Sequence, residues 1–237
     1  MTSVARWVEV HRLAVAGREA GIARDAGGRV GRVWLARSRF ADAARLAGLT
    51  LGEDALALYQ LGWAKTATGN PSAALAAYGQ ALRLHRAAGD RGNEAATLSN
   101  IGSVCDGLGE RQRALEYFGQ ALPILREVGD RAGEAVTLSN IGLVYRGLGE
   151  PERALEYYGQ ALPIRREVGD RAGEAVTRYN VAMIHRAQGE LSRAVAELEQ
   201  VVELDRQVSR PDLQSDTEML HRVRQELASS DPGSGSR

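Results

Sequence analysis

The residue types that carry enzyme chemistry are few in this chain, and their spacing does not assemble them. The four histidines, His11, His85, His185 and His221, are scattered, and none falls in an HExxH or comparable ligand spacing. The one cysteine, Cys105, follows Leu98, Ile101 and Gly102 at helical spacing and reads as a packing thiol. His185, forty residues after Tyr145, reads in the same way as a core residue. The glycines of GLGE at 107–110 and 147–150 fit neither GxxxxGK[ST] nor GxGxxG, so they mark helix ends rather than a phosphate loop. Charged runs such as Arg165-Arg166-Glu167 read as solvated faces. With no paired nucleophile, base or metal set, the expectation is a chain that is not an enzyme and uses no cofactor and no metal.

One polar residue needs a different account. The stretch TLSNIG at 97–102 returns at 137–142, and TRYNVA at 177–182 keeps the Asn. On a wheel of about 100° per residue, Ile101, Gly102 and Cys105 stay within about 60° of Leu98, whereas Asn100 lies about 200° away. Asn100, Asn140 and Asn180 therefore share a small, polar face opposite the packing stripe. An amide both donates and accepts, so a row of them can hold the backbone of an extended peptide without reading its side chains. Equally, such amides can bond to neighbouring helices or water and be copied with the repeat. Both readings stand at this point.

The elements that position these residues are repeated. Residues 97–136 and 137–176 are identical at thirty-three of forty positions, and the same frame extends back over 57–96 and forward over 177–208. A forty-residue period holding two helical patterns predicts an all-α architecture, a solenoid of helix hairpins in which each unit buries its apolar face against its neighbours. Each first helix opens after Gly-Asp, with Asp90, Asp130 and Asp170 as N-caps and Glu94, Glu134 and Glu174 suited to the helix dipole. Second helices begin at Asn70-Pro71 and Glu150-Pro151, a proline being favoured at the first helical position. Pro123 and Pro163 fall inside second helices, where they predict a bend absorbed by Gly119 and Gly159. Gly79 has no such proline and is read as a close-packing glycine.

The packing residues carry a resemblance. Leu61-Gly62, Ala74, Tyr78 and Ala81 are followed by Ile101-Gly102, Ala114, Phe118 and Ala121, then by Ile141-Gly142, Tyr145, Ala154, Tyr158 and Ala161. Val181-Ala182, His185, Ala194, Leu198 and Val201 form a looser fourth set. This pattern resembles the tetratricopeptide repeat, and its period is similar to the long-helix subtype of kinesin light chains, Pins-type adaptors and actinobacterial regulators. The resemblance implies a right-handed α-solenoid of antiparallel helix hairpins, with four units at about 55–94, 95–134, 135–174 and 175–208. Residues 1–54 are expected to hold N-terminal helices, including a degenerate repeat around Gly31, Trp34, Ala43 and Ala47. A C-terminal capping helix is expected over 211–229 and a disordered tail over 230–237.

In that family first helices line a concave groove, and an Asn beside the Leu-Gly pair contacts bound peptide backbone. Carried onto this sequence, the implied groove rows are Gln60, Asn100, Asn140 and Asn180; Tyr59, Ser99, Ser139 and Tyr179; Trp63, Ser103, Leu143 and Met183; and Thr66, Asp106, Arg146 and Arg186. Trp63, Leu143 and Met183 would form apolar pockets, and Arg146 and Arg186 would favour an acidic residue.

Composition narrows the partner. Thirty basic residues balance thirty acidic ones, which argues against nucleic acid. A single cysteine, no cationic start before an apolar run and no long apolar stretch predict a cytoplasmic, non-membrane protein. One lysine, Lys65, among thirty basic residues suggests a bacterial, arginine-biased source. The expected function is protein–protein interaction, a peptide segment of a partner lying in the groove. Two alternatives stay open: a regulatory part of a larger bacterial signalling protein, and a self-assembling solenoid, so homo-oligomerisation is not settled.

Overall fold

The computed structural model describes residues 3–16 and 54–230, with residues 22, 26, 29, 30, 33 and 42 between them. The expected degenerate repeat at Gly31, Trp34, Ala43 and Ala47 and the tail beyond Ser230 lie outside the described residues. The described secondary structure is helical: α1 Ser3–Ala16, α2 Ala55–Ala67, α3 Pro71–Ala88, α4 Arg91–Gly107, α5 Arg111–Glu127, α6 Arg131–Leu148, α7 Pro151–Glu167, α8 Arg171–Ala187, α9 Leu191–Val208 and α10 Leu213–Ser230. They fall into two compact units, Met1–Ile124 and Leu125–Arg237, the division lying within α5. In the first, α3 packs against α2 and α4; in the second, α7 packs against α6 and α8, α9 against α8, and α10 against α9.

Helix starts follow the sequence. The carboxylates of Asp90, Asp130 and Asp170 accept from the backbone N–H of Asn93, Gly133 and Gly173, and Asn70 accepts from Ala73 ahead of Pro71. Helix ends use left-handed glycine, as at Gly89 (φ 66°) and Gly149 (φ 77°). The first-turn glutamates do more than complement a dipole. Glu94 is buried between Arg86 (2.9 Å) and Arg91 (2.7 Å), and Glu174 between Arg166 (2.8 Å) and Arg178 (3.0 Å). Glu134 repeats this with Arg126 at 2.7 Å and with Arg131. In each case the end of one second helix is tied to the start of the next first helix. Burial pushes the Glu94 and Glu174 carboxyls up, but the arginine hydrogen bonds and charges outweigh it and hold both below the ordinary range.

Within a hairpin, an aromatic ring of the second helix lies on a glycine of the first. A Cβ on Gly102 would sit 2.7 Å from the Phe118 ring, and one on Gly142 2.7 Å from the Tyr158 ring. These glycines set the distance between helices. Gly79 does not: a Cβ there meets nothing within 4 Å, nor does one on Gly119 or Gly159, so the close-packing reading of Gly79 is corrected. Helices α5 and α7 continue unbroken past Pro123 and Pro163.

The array closes on α10. Leu220 and Val223 of α10 complete a core with Ala182, Ala194, Leu198 and Val202. Counting from the helix starts at Arg171 and Leu213, Arg224 takes the place that Ala182 has in α8. Arg224 is exposed there and pairs with Glu199 of α9 at 2.7 Å, while Leu220 and Val223 cover the apolar face of α8 and α9.

Candidate functional site

The three asparagines stand on the first helices α4, α6 and α8, each half-buried. In the first unit Asn100 Nδ2 donates to the Tyr59 hydroxyl of α2 at 2.8 Å. The Tyr59 ring meets Tyr78 edge-on at 5.7 Å. Burial raises the Tyr59 hydroxyl above its ordinary range and the Asn100 bond partly offsets this, so the phenol stays protonated and able to accept the amide. Of the other residues predicted here, Trp63 is 41 % exposed, Ser103 is exposed and donates to the Ser99 carbonyl (3.1 Å), and Asp106 is half-buried. Gln60 is only 4 % exposed and is corrected from a groove residue to a buried one.

In the second unit Arg146 of α6 reaches across to α8, donating from Nη1 to Asn180 Oδ1 at 2.9 Å. Ser139 donates to the Ala135 carbonyl (2.9 Å), lies 3.3 Å from the Thr177 hydroxyl and accepts from Arg165 Nη2 at 3.2 Å. It is the meeting point of α6, α7 and α8. Asn100 and Asn180 thus bond to a neighbouring first helix, as the structural reading of the amides requires. Each such bond uses one of an amide's four hydrogen-bonding positions, so the contact does not exhaust the side chain.

The fourth unit departs further from the expected groove. Tyr179 and Met183 pack against the core that α10 completes. Arg186 donates to Glu226 of α10 from Nε (2.9 Å) and Nη2 (2.5 Å), with Nη1 3.6 Å from Met219 Sδ. These three side chains hold the cap; Arg186 is already neutralised and does not wait for an acidic ligand. The resemblance supplied the register but could not show that the cap would cover the last unit's face.

On the first-helix faces of the second unit, apolar side chains stay open to solvent. Leu143 is 36 % exposed, Val136 43 % and, on α8, Val176 47 %. Val136, Asn140 and Leu143 follow i, i+4, i+7 and share one helix face; Val176 and Asn180 repeat the first two. Val136 and Val176 were not among the sequence candidates. The signal was present, since they precede the asparagines by one turn in the same register.

Other sequence readings divide. Cys105 is buried, and burial pushes its thiol up, away from the reactive thiolate. His185 Nδ1 lies 2.7 Å from Glu190 Oε2 at a partly buried site. Arg165 corrects the solvated-face reading of its run: it is buried, bonded to Ser139 and paired with Asp170. Arg166 and Glu167 do keep exposed side chains. Among the described residues no group of three His, Cys, Asp or Glu could hold a metal ion, and no helix is long and apolar enough to cross a membrane.

Comparison with known proteins agrees with this geometry. The apo quorum sensor NprR from B. thuringiensis superposes with a TM-score of 0.75 at 18 % identity, over 94 % of this chain and 66 % of that one. Aspartyl phosphate phosphatase F from Bacillus subtilis matches with a TM-score of 0.73 at 14 % identity, over 88 % of this chain, which spans 58 % of that protein. A signal transduction ATPase with numerous domains and a tetratricopeptide repeat sensor, from Pyrococcus horikoshii, matches with a TM-score of 0.69 at 17 % identity, over 84 % of this chain and 33 % of that one. No curated protein matches in sequence. At these identities the likeness is one of fold. The tetratricopeptide repeat family model matches residues 53–127 and 133–207, which together are more than half of the chain. With glycine-on-ring hairpins repeating at forty residues across both stretches, the chain belongs to the tetratricopeptide repeat family.

Proposed function

We propose that this protein is a protein-interaction module that binds a peptide segment of a partner, and that in the second unit the contact surface is the first-helix face of α6 and α8. The observation that carries the reading is the set of solvent-exposed apolar side chains, Val136, Leu143 and Val176, on the same helix faces as the half-buried amides of Asn140 and Asn180. Exposed aliphatic groups beside amides suit an extended peptide, whose side chains need apolar contacts and whose backbone needs donors and acceptors. Arg146, exposed and held by Asn180, adds a preference for an acidic residue in the ligand. In the first unit Trp63 and Asn100 are the corresponding residues.

A second reading, a sensor or regulatory segment within a larger signalling protein, draws support from the neighbours. One of them is a signal transduction ATPase with a tetratricopeptide repeat sensor, of which this chain spans a third. The two readings are compatible, since the same face could take a segment supplied in cis. End-to-end self-assembly through the C-terminal side is less favoured, because α10 already covers that apolar face.

Peptides selected from a random displayed library against the immobilised chain provide the test. Hydrogen-exchange footprinting of a selected peptide should protect 131–148 and 171–187. Protection confined to the second helices would overturn the assignment.

A further inference from the structure

The second helices share a buried position at forty-residue spacing, occupied in the second unit by Leu125, Arg165 and Asp205. Arg165 pairs with Asp170; at Asp205 the charges are exchanged, and Arg210 Nη1 donates to Asp205 Oδ1 at 2.8 Å. Asp205 is fully buried, and its Oδ2 accepts no hydrogen bond. Asp216 on α10, itself 8 % exposed, brings a second carboxyl against that of Asp205. Two ionised carboxylates cannot satisfy one another, because neither carries a donor. Arg210 does not resolve this, since it donates to the other oxygen, Oδ1, and to Asp212, and leaves Oδ2 without a donor. The charged groups facing Asp216 are therefore Asp205 from α9, with Arg210 and Asp212 from the connection.

We propose that the Asp205–Asp216 contact is a proton-operated latch on the capping helix, closed when Asp216 is protonated and donates to Asp205 Oδ2, and loosened when both carboxyls are ionised. The buried face of α10 consists of Asp216, Leu220 and Val223, so one of its three anchoring side chains changes from hydrogen-bonded to repelled. Loosening α10 uncovers Tyr179, Met183 and Arg186, which the cap holds down. The latch thereby regulates how much of the α8 face is open.

Burial, followed by the bond to and the charge of Asp205, pushes the Asp216 carboxyl up to about 6, so the change falls between weakly acid and neutral solution. A carboxyl raised in the folded state stabilises the docked helix below its unfolded value and withdraws that contribution as pH rises through the folded value.

The experiment is hydrogen exchange of the full chain at about pH 5 and about pH 8, with rates corrected for intrinsic exchange and expressed as protection factors for 213–230. The expected result is a fall in protection on the order of tenfold or more at the higher pH, confined to α10 and its contacts. In Asp216→Asn, which donates to Asp205 at any pH, protection is expected to stay at the acid level throughout. Equal wild-type protection at both pH values overturns the latch, as does a pH dependence that survives unchanged in Asp216→Asn. The wild-type profile decides the matter alone if the variant folds poorly.

Discussion

Hairpins α4–α5 and α6–α7 are built from almost the same sequence, and their seven differences over residues 97–136 and 137–176 are informative because so little else varies. The core positions hardly change: Phe118 becomes Tyr158 on the same kind of glycine, and Leu98, Ile101, Ala114 and Ala121 have identical counterparts. The changes gather elsewhere. Ser103 and Asp106 become Leu143 and Arg146 on the first-helix face, and Leu125 becomes Arg165 at the seam with the next unit. Cys105, a bare packing thiol, becomes Tyr145, whose ring stacks on Tyr157 at 5.4 Å and carries the Arg153 guanidinium at 3.8 Å. The comparison separates a scaffold that is copied from surfaces that are free to diverge.

The largest effect should come from the shared scaffold. Phe118→Ala and Tyr158→Ala each remove a fully buried ring, and each should cost about 3–5 kcal/mol by denaturant unfolding. Unequal losses would show that the hairpins are less alike than their sequences. Next come Gly102→Ala and Gly142→Ala, which push a Cβ into the facing ring and should cost about 1–3 kcal/mol each. A neutral result would mean that the ring moves away freely.

The seam residues should behave differently from the core. Arg165→Leu copies Leu125 into the later unit. It removes a buried charge whose partner Asp170 keeps a 40 % exposed side chain and can be hydrated, so stability should be unchanged or raised by about 1 kcal/mol. A loss above about 2 kcal/mol would mark the ion pair as structurally required.

The smallest effect is one of pH. Glu94 and Glu174 are held below their ordinary value in the folded state, so their ion pairs contribute fully above the unfolded carboxylate range of about 4.3 and are lost as pH falls through the lower folded values. Melting temperature should decline on acidification through that range, and Glu174→Gln should flatten the decline.

Most of the fold was legible because it rests on local chemistry repeated four times. Asp before each first helix, Gly after it, and small residues facing rings all act within one hairpin. The site was legible only in part. Wheel geometry placed Asn100, Asn140 and Asn180 opposite the packing stripe, but a single-helix wheel has no neighbours in it. It could not show that Tyr59 and Arg146 would reach those amides, or that Gln60 would be buried. The fate of Tyr179, Met183 and Arg186 depended on α10, whose own sequence gives no sign of which face it covers. Arg165 was misread for a related reason: a charge in a charged run looks solvated until the preceding helix supplies Ser139 and the cap of the following one supplies Asp170.

The central claim is that the diverged face of α6, not the copied scaffold, makes the contact with a partner. Calorimetric titration of a library-selected peptide into the wild type and into Asn140→Ala/Leu143→Ser tests it most directly, with unfolding measured in parallel. The account predicts affinity at least about tenfold weaker, since lost apolar burial and a lost amide bond are each worth about 1 kcal/mol or more, with stability nearly unchanged at these partly exposed positions. Unchanged affinity in a folded variant would contradict it.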